Sequence, residues 1–413
     1  DHRDLHSFPT RRSSDLQYSL RNAYLINVLA LVGVGVVMVF SSSAISVLPG
    51  GEGDPFIFIK RHLTFLALGL SAMAVLARTD YHQLARFAKP LYLLGLVLLV
   101  LTLVPGIGTS FNGASRWIRF GGVGIQPSDY AKFALIVACA TFGSANRDIG
   151  TFKSGFIPAC LFIGAYSVVC MAQPDLGTSL FLAAIGFLVL LASGLRLRHL
   201  ALVALLGMPL AVGVMFVKFD HVKDRVLTFL NPEKDPLGKG HQVKQSLIAI
   251  GSGGLEGEGL GQSTQKLYYL PEQETDFIFA VLAEETGFLG SAFTLALFAS
   301  LMLLGMRVSA RAPDKLGSLM VLGVTASIGI QACMNIAVVT ASVPTKGIGL
   351  PFVSFGGSGC FFYLCAVGVA LSVARQAVSS DKAEQLMAQE TRAQREQESL
   401  RASVRARRLV AAA

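Results

Sequence analysis

Charge is what this sequence has least of: Asp, Glu, Lys and Arg make up 15% of its 413 residues, against 53% hydrophobic ones. Water-soluble domains carry about 25% charged residues, so an ordinary soluble fold is excluded. The mean hydropathy of +0.57 agrees, and lipid is the solvent. Tryptophan is reduced to one residue, Trp117, and cysteine to six. Cys139, Cys160, Cys170, Cys333, Cys360 and Cys365 all fall in apolar runs, without metal-ligand spacing or a loop position suited to a disulfide. They read as small buried hydrophobes. The glycine-dense stretch from Gly251 to Gly261 matches neither a GxxxxGKS/T loop nor a strand-flanked GxGxxG, so a nucleotide site is not indicated, and a mobile lid-like loop is the better reading. The net charge of +9 lies in short loops between apolar runs and in the C-terminal tail, where topology rather than nucleic acid accounts for it.

What is there is a series of apolar windows, each about 20 residues long, recurring from Tyr24 to Arg375. The pattern predicts an all-α, polytopic membrane protein of about ten transmembrane helices, at 24–48, 57–77, 90–105, 130–146, 155–172, 174–194, 199–217, 277–305, 317–343 and 352–375. A large loop then separates helices seven and eight. One set of alternate loops holds Arg78, Arg86, Lys89, Arg147, Lys153, Arg196, Arg198, Arg307, Arg311 and Lys315. The opposite set holds Arg116, Arg119 and Lys346, with Lys60 and Arg61 at a helix start. The positive-inside rule therefore puts both termini in the cytoplasm and the large loop outside. Residues 1–16 look like a translated sequencing adapter and are set apart from the transmembrane domain at 17–377. The charged stretch 378–413 reads as a cytoplasmic tail, solvated or drawn by its arginines to an anionic membrane surface.

Chemistry-bearing residues gather in the outer segments. Arg116, Trp117 and Arg119 precede Gln126-Pro127-Ser128-Asp129, a helix opening, and Lys132 follows Asp129 at a spacing that puts both on one helix face. Asp175 stands in Gln173-Pro-Asp-Leu-Gly between two apolar runs, where it is a helix cap or a functional carboxylate. After Lys266 come Glu272, Glu274 and Asp276 at the start of the eighth helix. Glu284 and Glu285 lie some two turns further in, where ionisable groups are expensive and need partners such as Lys266, Lys132 or Lys346. The Gly- and Pro-rich run from Val343 to Gly359 predicts broken backbone lining a cavity, with Lys346 and Ser354 pointing into it. Each feature also has a bland reading: a snorkelling lysine, an interface tryptophan, first-turn acids, a re-entrant turn without ligand.

The strings Arg116-Trp117, Gln126-Pro-Ser, Gln173-Pro-Asp-Leu-Gly, Gly259-Leu-Gly, Leu270-Pro-Glu, Thr275-Asp-Phe-Ile-Phe-Ala280, Glu284-Glu285 and Pro351 to Ser358 together resemble the SEDS family (shape, elongation, division and sporulation), over roughly residues 20 to 377. Pro344-Thr-Lys-Gly with Ser354-Phe-Gly-Gly-Ser resembles the FtsW and SpoVE branches more than RodA. Asp129, where Glu is usual, and Gln273-Glu274, where a His is common, depart from the family pattern. The resemblance implies a peptidoglycan glycosyltransferase acting on lipid II at the outer face of the bacterial inner membrane, at the division septum. It implies Asp276 as catalytic residue. It also implies a class B penicillin-binding protein, other divisome membrane proteins and membrane lipids as partners, and no nucleic acid. In that chemistry Asp276 takes the acceptor's proton, Arg116, Lys132, Lys266 or Lys346 faces the diphosphate, and Trp117, Gln126, Asp175, Glu285 and Ser354 complete the substrate site. A divalent cation, Mg or Mn, is compatible with that step, although no cage motif for one is present. A flippase or transporter, an elongation or sporulation role, and a non-catalytic scaffold are the competing readings.

Overall fold

The computed structural model describes residues 8–43, 57–111, 114–120, 123–219, 223, 227–229, 239–265, 273–379, 387 and 394. Glu272, Lys266 and most of the charged tail lie outside them. Helices α1 (Phe8–Ser43), α2 (Ile57–Arg78), α3 (Tyr81–Arg86) and α4 (Ala88–Leu101) open the chain. Next come α5 (Pro127–Ala145), α6 (Ile157–Ala172, entered through a π turn), α7 (Leu176–Ala192), and α8 (Leu197–Leu202) continuing into α9 (Met208–Lys218). Then follow α10 (Lys239–Ser252), α11 (Ile278–Ala310), α12 (Lys315–Val339) and α13 (Gly357–Ser379).

Each of the apolar segments picked out in the sequence contains a helix. Among the described residues seven helices are long and apolar enough to cross a membrane, while α4 and α7 are apolar but shorter. The starts follow local chemistry. Pro127 opens α5, where its missing N–H costs nothing. Asp80, Asp175 and Asp314 cap α3, α7 and α12 by accepting the amides of His82, Thr178 and Gly317. The centre of the bundle is α13, with 78% of its apolar window buried, packed with α2, α5 and α12. The α8–α9 span, at 6%, stands at the edge.

Two features depart from the helical expectation. The stretch from Gly108 to Ile125 is an antiparallel meander of β1 (Gly108–Phe111), β2 (Ala114–Phe120) and β3 (Val123–Ile125), with Ile118 of β2 opposite Gly108 and Ile125. Asn112-Gly113 and Gly121-Gly122, which separate the strands in sequence, are the residue pairs that two-residue hairpin turns require.

The second is a break in α11 at Gly287, where φ is 63° and ψ −162°. A break leaves backbone groups without helical partners. The glycine-rich loop supplies them: the amides of Glu258 and Gly259 donate to the carbonyls of Glu284 and Glu285, each at 3.0 Å, and the amides of Phe288 and Leu289 donate to Gly254 and Leu255 at 2.9 and 3.2 Å. The segment read from sequence as a mobile lid-like loop is, through residue 265, a plug set into the broken helix. Glycine is needed on both sides, because a Cβ on Gly257 would lie 2.3 Å from the Glu285 carbonyl oxygen and one on Gly287 would lie 2.4 Å from the Gly257 nitrogen.

Candidate active site

Four separate pieces of chain converge at one end of the bundle around a polar cavity of about 230 Å³. Strand β2 brings Arg116 and Trp117, the start of α5 brings Gln126, Asp129 and Lys132, the turn before α11 brings Asp276, and the broken backbone between α12 and α13 brings Lys346 and Ser354. Seven of the residues singled out from sequence thus line one cavity: Arg116, Trp117, Gln126, Lys132, Asp276, Lys346 and Ser354.

Asp276 and Arg116 meet at Gly347. A Cβ placed there would lie 3.4 Å from Asp276 Oδ2 and 4.0 Å from Arg116 Nη1, so carboxylate and guanidinium flank the same glycine. Arg116 is held from behind. Its Nε lies 3.1 Å from Asp175 Oδ2, off the line of the N–H, as an ion pair rather than an aligned hydrogen bond, and Nη2 donates to the Pro174 carbonyl at 3.4 Å. Asp175 caps α7 through Thr178, the structural reading weighed for it, and also anchors Arg116. Lys346 lies across the same helix start, close enough that a Cβ on Gly177 would be 2.5 Å from its Nζ.

Lys132 sits deeper. Its Nζ donates to Asp129 Oδ1 and to Gln331 Oε1, each at 3.0 Å, and stands 5.2 Å from the centre of the Phe181 ring. An ammonium inside a bundle is stable only with such company. Asp129 accepts a further bond from Ser358 Oγ at 2.9 Å, and Ser358 in turn accepts the Gln126 amide at 3.1 Å. Ser354 is spent on backbone: its hydroxyl donates to the Thr275 carbonyl and accepts the Leu350 amide, each at 2.6 Å. With Phe355 N donating to Glu274 O at 2.7 Å, it fastens the turn that carries Asp276 onto the 350–355 turn.

Glu285 is placed elsewhere. It is buried away from the cavity lining, and Ser41 Oγ of α1 donates to both its oxygens at 2.6 and 2.7 Å. Glu284, fully buried, accepts from Ser263 Oγ, from Thr264 N and Oγ1 at 2.9 and 3.0 Å, and from Gln265 N at 3.3 Å. The expectation that Lys132 or Lys346 neutralises this pair is corrected for Glu284: hydroxyls and amides hold it, because they can crowd a carboxylate without a second desolvated charge. Lys266 lies outside the described residues.

Sequence reading passed over Gln331, Asn335, Ser358 and Tyr363. Gln331 and Asn335 were detectable, being amides one turn apart in a largely apolar helix, where polar groups are costly.

A second cavity, apolar and about 840 Å³, runs between α7, α11 and α12. Arg116, Thr345 and Lys346 border both spaces, so two cations stand where the wet pocket meets the greasy groove. Among the described residues no group of three or more His, Cys, Asp or Glu converges, so a divalent cation would draw on Asp276, water and the anion of a substrate for its ligands.

The family model described as "Cell cycle protein", covering FtsW, RodA and SpoVE, matches residues 22–379, from within α1 to the last residue of α13. The chain belongs to the FtsW/RodA/SpoVE family. It is 42% identical over 352 residues to the stage V sporulation protein E of Bacillus subtilis, covering 85% of this chain and 96% of that one. It is 40% identical over 350 residues to a probable peptidoglycan glycosyltransferase FtsW of Geobacter metallireducens, covering 84% and 93%. Solved structures agree on the architecture. A chain of a peptidoglycan synthase complex, studied for how polymerization and crosslinking are coordinated, superposes with a TM-score of 0.69 at 29% identity, covering 86% of this chain and 97% of that chain. The rod shape determining protein RodA of Thermus thermophilus gives 0.61 at 27% identity, covering 85% and 95%. The family's match thus includes every described element that lines the polar cavity.

Proposed function

We propose that this chain is a peptidoglycan glycosyltransferase that polymerises lipid II into glycan strands at the outer face of the bacterial inner membrane. The observation that carries the proposal is the meeting of Asp276 and Arg116 at Gly347, on the border between a polar pocket and an apolar groove. A lipid-linked sugar has the same two-part character. Its polyprenyl chain lies in the groove, its sugars occupy the pocket, and its diphosphate rests at the border against Arg116 and Lys346.

Transfer then runs as a displacement at the donor's anomeric carbon. Asp276 takes the proton of the acceptor 4-hydroxyl as the new C–O bond forms, and the bond to the diphosphate breaks. Negative charge grows on the departing oxygen, where prepositioned cations are worth most because the groove excludes water. Lys132, two hydrogen bonds deep in the pocket wall, sets the local potential and the shape of the floor.

The names of the FtsW relatives and the solved synthase complex support the reaction, and the latter supports a transpeptidase of the class B penicillin-binding type as partner. The Pro344-Thr-Lys-Gly string favours an FtsW- or SpoVE-type role over a RodA-type one without separating the first two, to which similarity stands at 40% and 42%; a fluorescent fusion that fails to gather at division sites would overturn the septal role. Both termini face the cytoplasm on this reading.

Asp276→Asn, purified with its partner, is expected to insert normally and to lose polymerisation of lipid II. Wild-type glycan synthesis by that variant sinks the assignment. A flippase would instead carry labelled lipid II across a liposome bilayer in the absence of any glycan product.

A further inference from the structure

Asp276 is on a turn, not in a helix, so something other than helical geometry must fix its place. The described contacts of its main chain point to α12. Asn335 is fully buried, and its Nδ2 donates to the carbonyl of Asp276 and to the carbonyl of Ile348, each at 2.7 Å. A carboxamide has two N–H groups, so both bonds are made at once and neither carbonyl competes with the other. One side chain thus ties the residue proposed as base to the loop that carries Lys346 and Gly347.

One turn earlier, Gln331 repeats the pattern. Its Nε2 donates to the Gly349 carbonyl at 2.9 Å, while its Oε1 accepts Lys132 Nζ and the Tyr363 hydroxyl. The two amides form a short ladder along α12 on which the 346–349 backbone hangs. That backbone is non-helical, so its carbonyls have no helical partners and need others. Of the two cations at the border, Arg116 is held by the Asp175 side chain, so Asn335 leaves that charge in place and acts on the loop that carries the other, Lys346.

We infer that Asn335 is a positioning residue for the transfer: it sets the distance between the Asp276 carboxylate and the Lys346–Gly347 border without contacting substrate. This rests on the reading of Asp276 as base. A misplacement of about 1 Å at such a group costs on the order of a hundredfold in rate, whereas Arg116, held by Asp175, and the apolar groove keep their grip on the diphosphate and the polyprenyl chain. The loss therefore belongs in kcat and not in KM.

The test is a lipid II titration with the full chain reconstituted with its partner, comparing wild type, Asn335→Asp, Asn335→Leu, Asn335→Ser and Asp276→Asn. Asn335→Asp keeps the shape but turns the two donors into acceptors, and Asn335→Leu keeps the volume without a polar group. Both are expected to lower kcat by about tenfold or more with KM within about twofold of wild type. Asn335→Ser retains one short donor and covers the case in which the other two fail to insert; its kcat is expected about three- to tenfold down. Wild-type kcat in the inserted variants overturns the inference, and so does a KM that rises in step with falling kcat, which marks a general loss of site shape. Activity in Asp276→Asn alone overturns the base assignment instead, so the two failures are distinguishable.

Discussion

At the residue scale, the site is a matter of which atoms are allowed to be close. Gly177 gives up its side chain so that Lys346 can lie across the start of α7; a methyl there would come 2.0 Å from Lys346 Cε. The obstructed atom is near the end of a flexible chain, so Gly177→Ala is expected to fold with less than about 1 kcal/mol lost, yet to swing the ammonium off the border. Polymerisation should fall about tenfold, as expected for one lost electrostatic contact to a leaving group, and the comparison of melting temperature with rate checks it. Part of this was legible beforehand. Asp129 and Lys132 read as a pair from spacing alone, and they are one at 3.0 Å. Ser354 lines the cavity as its reading had it, but its bonds to Thr275 and Leu350, like the Ser41–Glu285 pair, were not legible, because a one-dimensional string shows that a polar group sits in an apolar run without showing which atom it will meet.

At the element scale, the broken α11 and its plug are one unit. Gly257→Ala would need φ near 82° and push a methyl against the Glu285 carbonyl. We expect a loss of about 1–3 kcal/mol and faster amide exchange at Phe288 and Leu289, measured by hydrogen exchange in detergent. The opposite end of the bundle has its own latch. His82 Nδ1 lies 2.8 Å from Asp80 and Nε2 2.7 Å from Asp314, and Gln376 of α13 donates to Asp80 at 2.9 Å. Hydrogen bonds from Gln376 and from the His82 amide hold Asp80 down at about 2. Desolvation opposes a charge on His82, but its hydrogen bonds to Asp80 and Asp314 prevail and raise the ring above 6.5. A raised histidine stabilises fully below its ordinary value and loses that contribution as pH climbs through the folded one; a depressed aspartate stabilises above 3.8 and fails only as pH falls toward 2. The latch is therefore firmest between about pH 4 and 6.5 and slackens on the alkaline side. Melting should drop from pH 6 to pH 8.5, and His82→Gln should flatten that slope. Helices such as α2 and α12 were visible in the sequence because apolar length is a strong signal. The meander was not, since Arg116, Trp117 and the glycines suit a membrane-interface loop as well as strands, although Asn112-Gly113 and Gly121-Gly122 carried the hairpin cue.

At the scale of the whole molecule, the arrangement joins two solvents. The polar cavity and the apolar groove share Arg116, Thr345 and Lys346, and Cys333 on the groove wall is exposed. Lipid II carrying a shortened prenyl chain should therefore bind more weakly at unchanged chemistry: KM rises and kcat holds, since the removed contacts act equally on ground and transition states. An equal fall in kcat would show that chain length is felt at the reacting carbon. The groove's flank has a wider consequence for how turnover is counted. A reactant that arrives sideways never passes through bulk water, so its encounter frequency follows its mole fraction in one leaflet and the fluidity of that leaflet. Dilution of the vesicle suspension should leave the initial velocity per enzyme unchanged, whereas dilution of the substrate with inert phospholipid slows it.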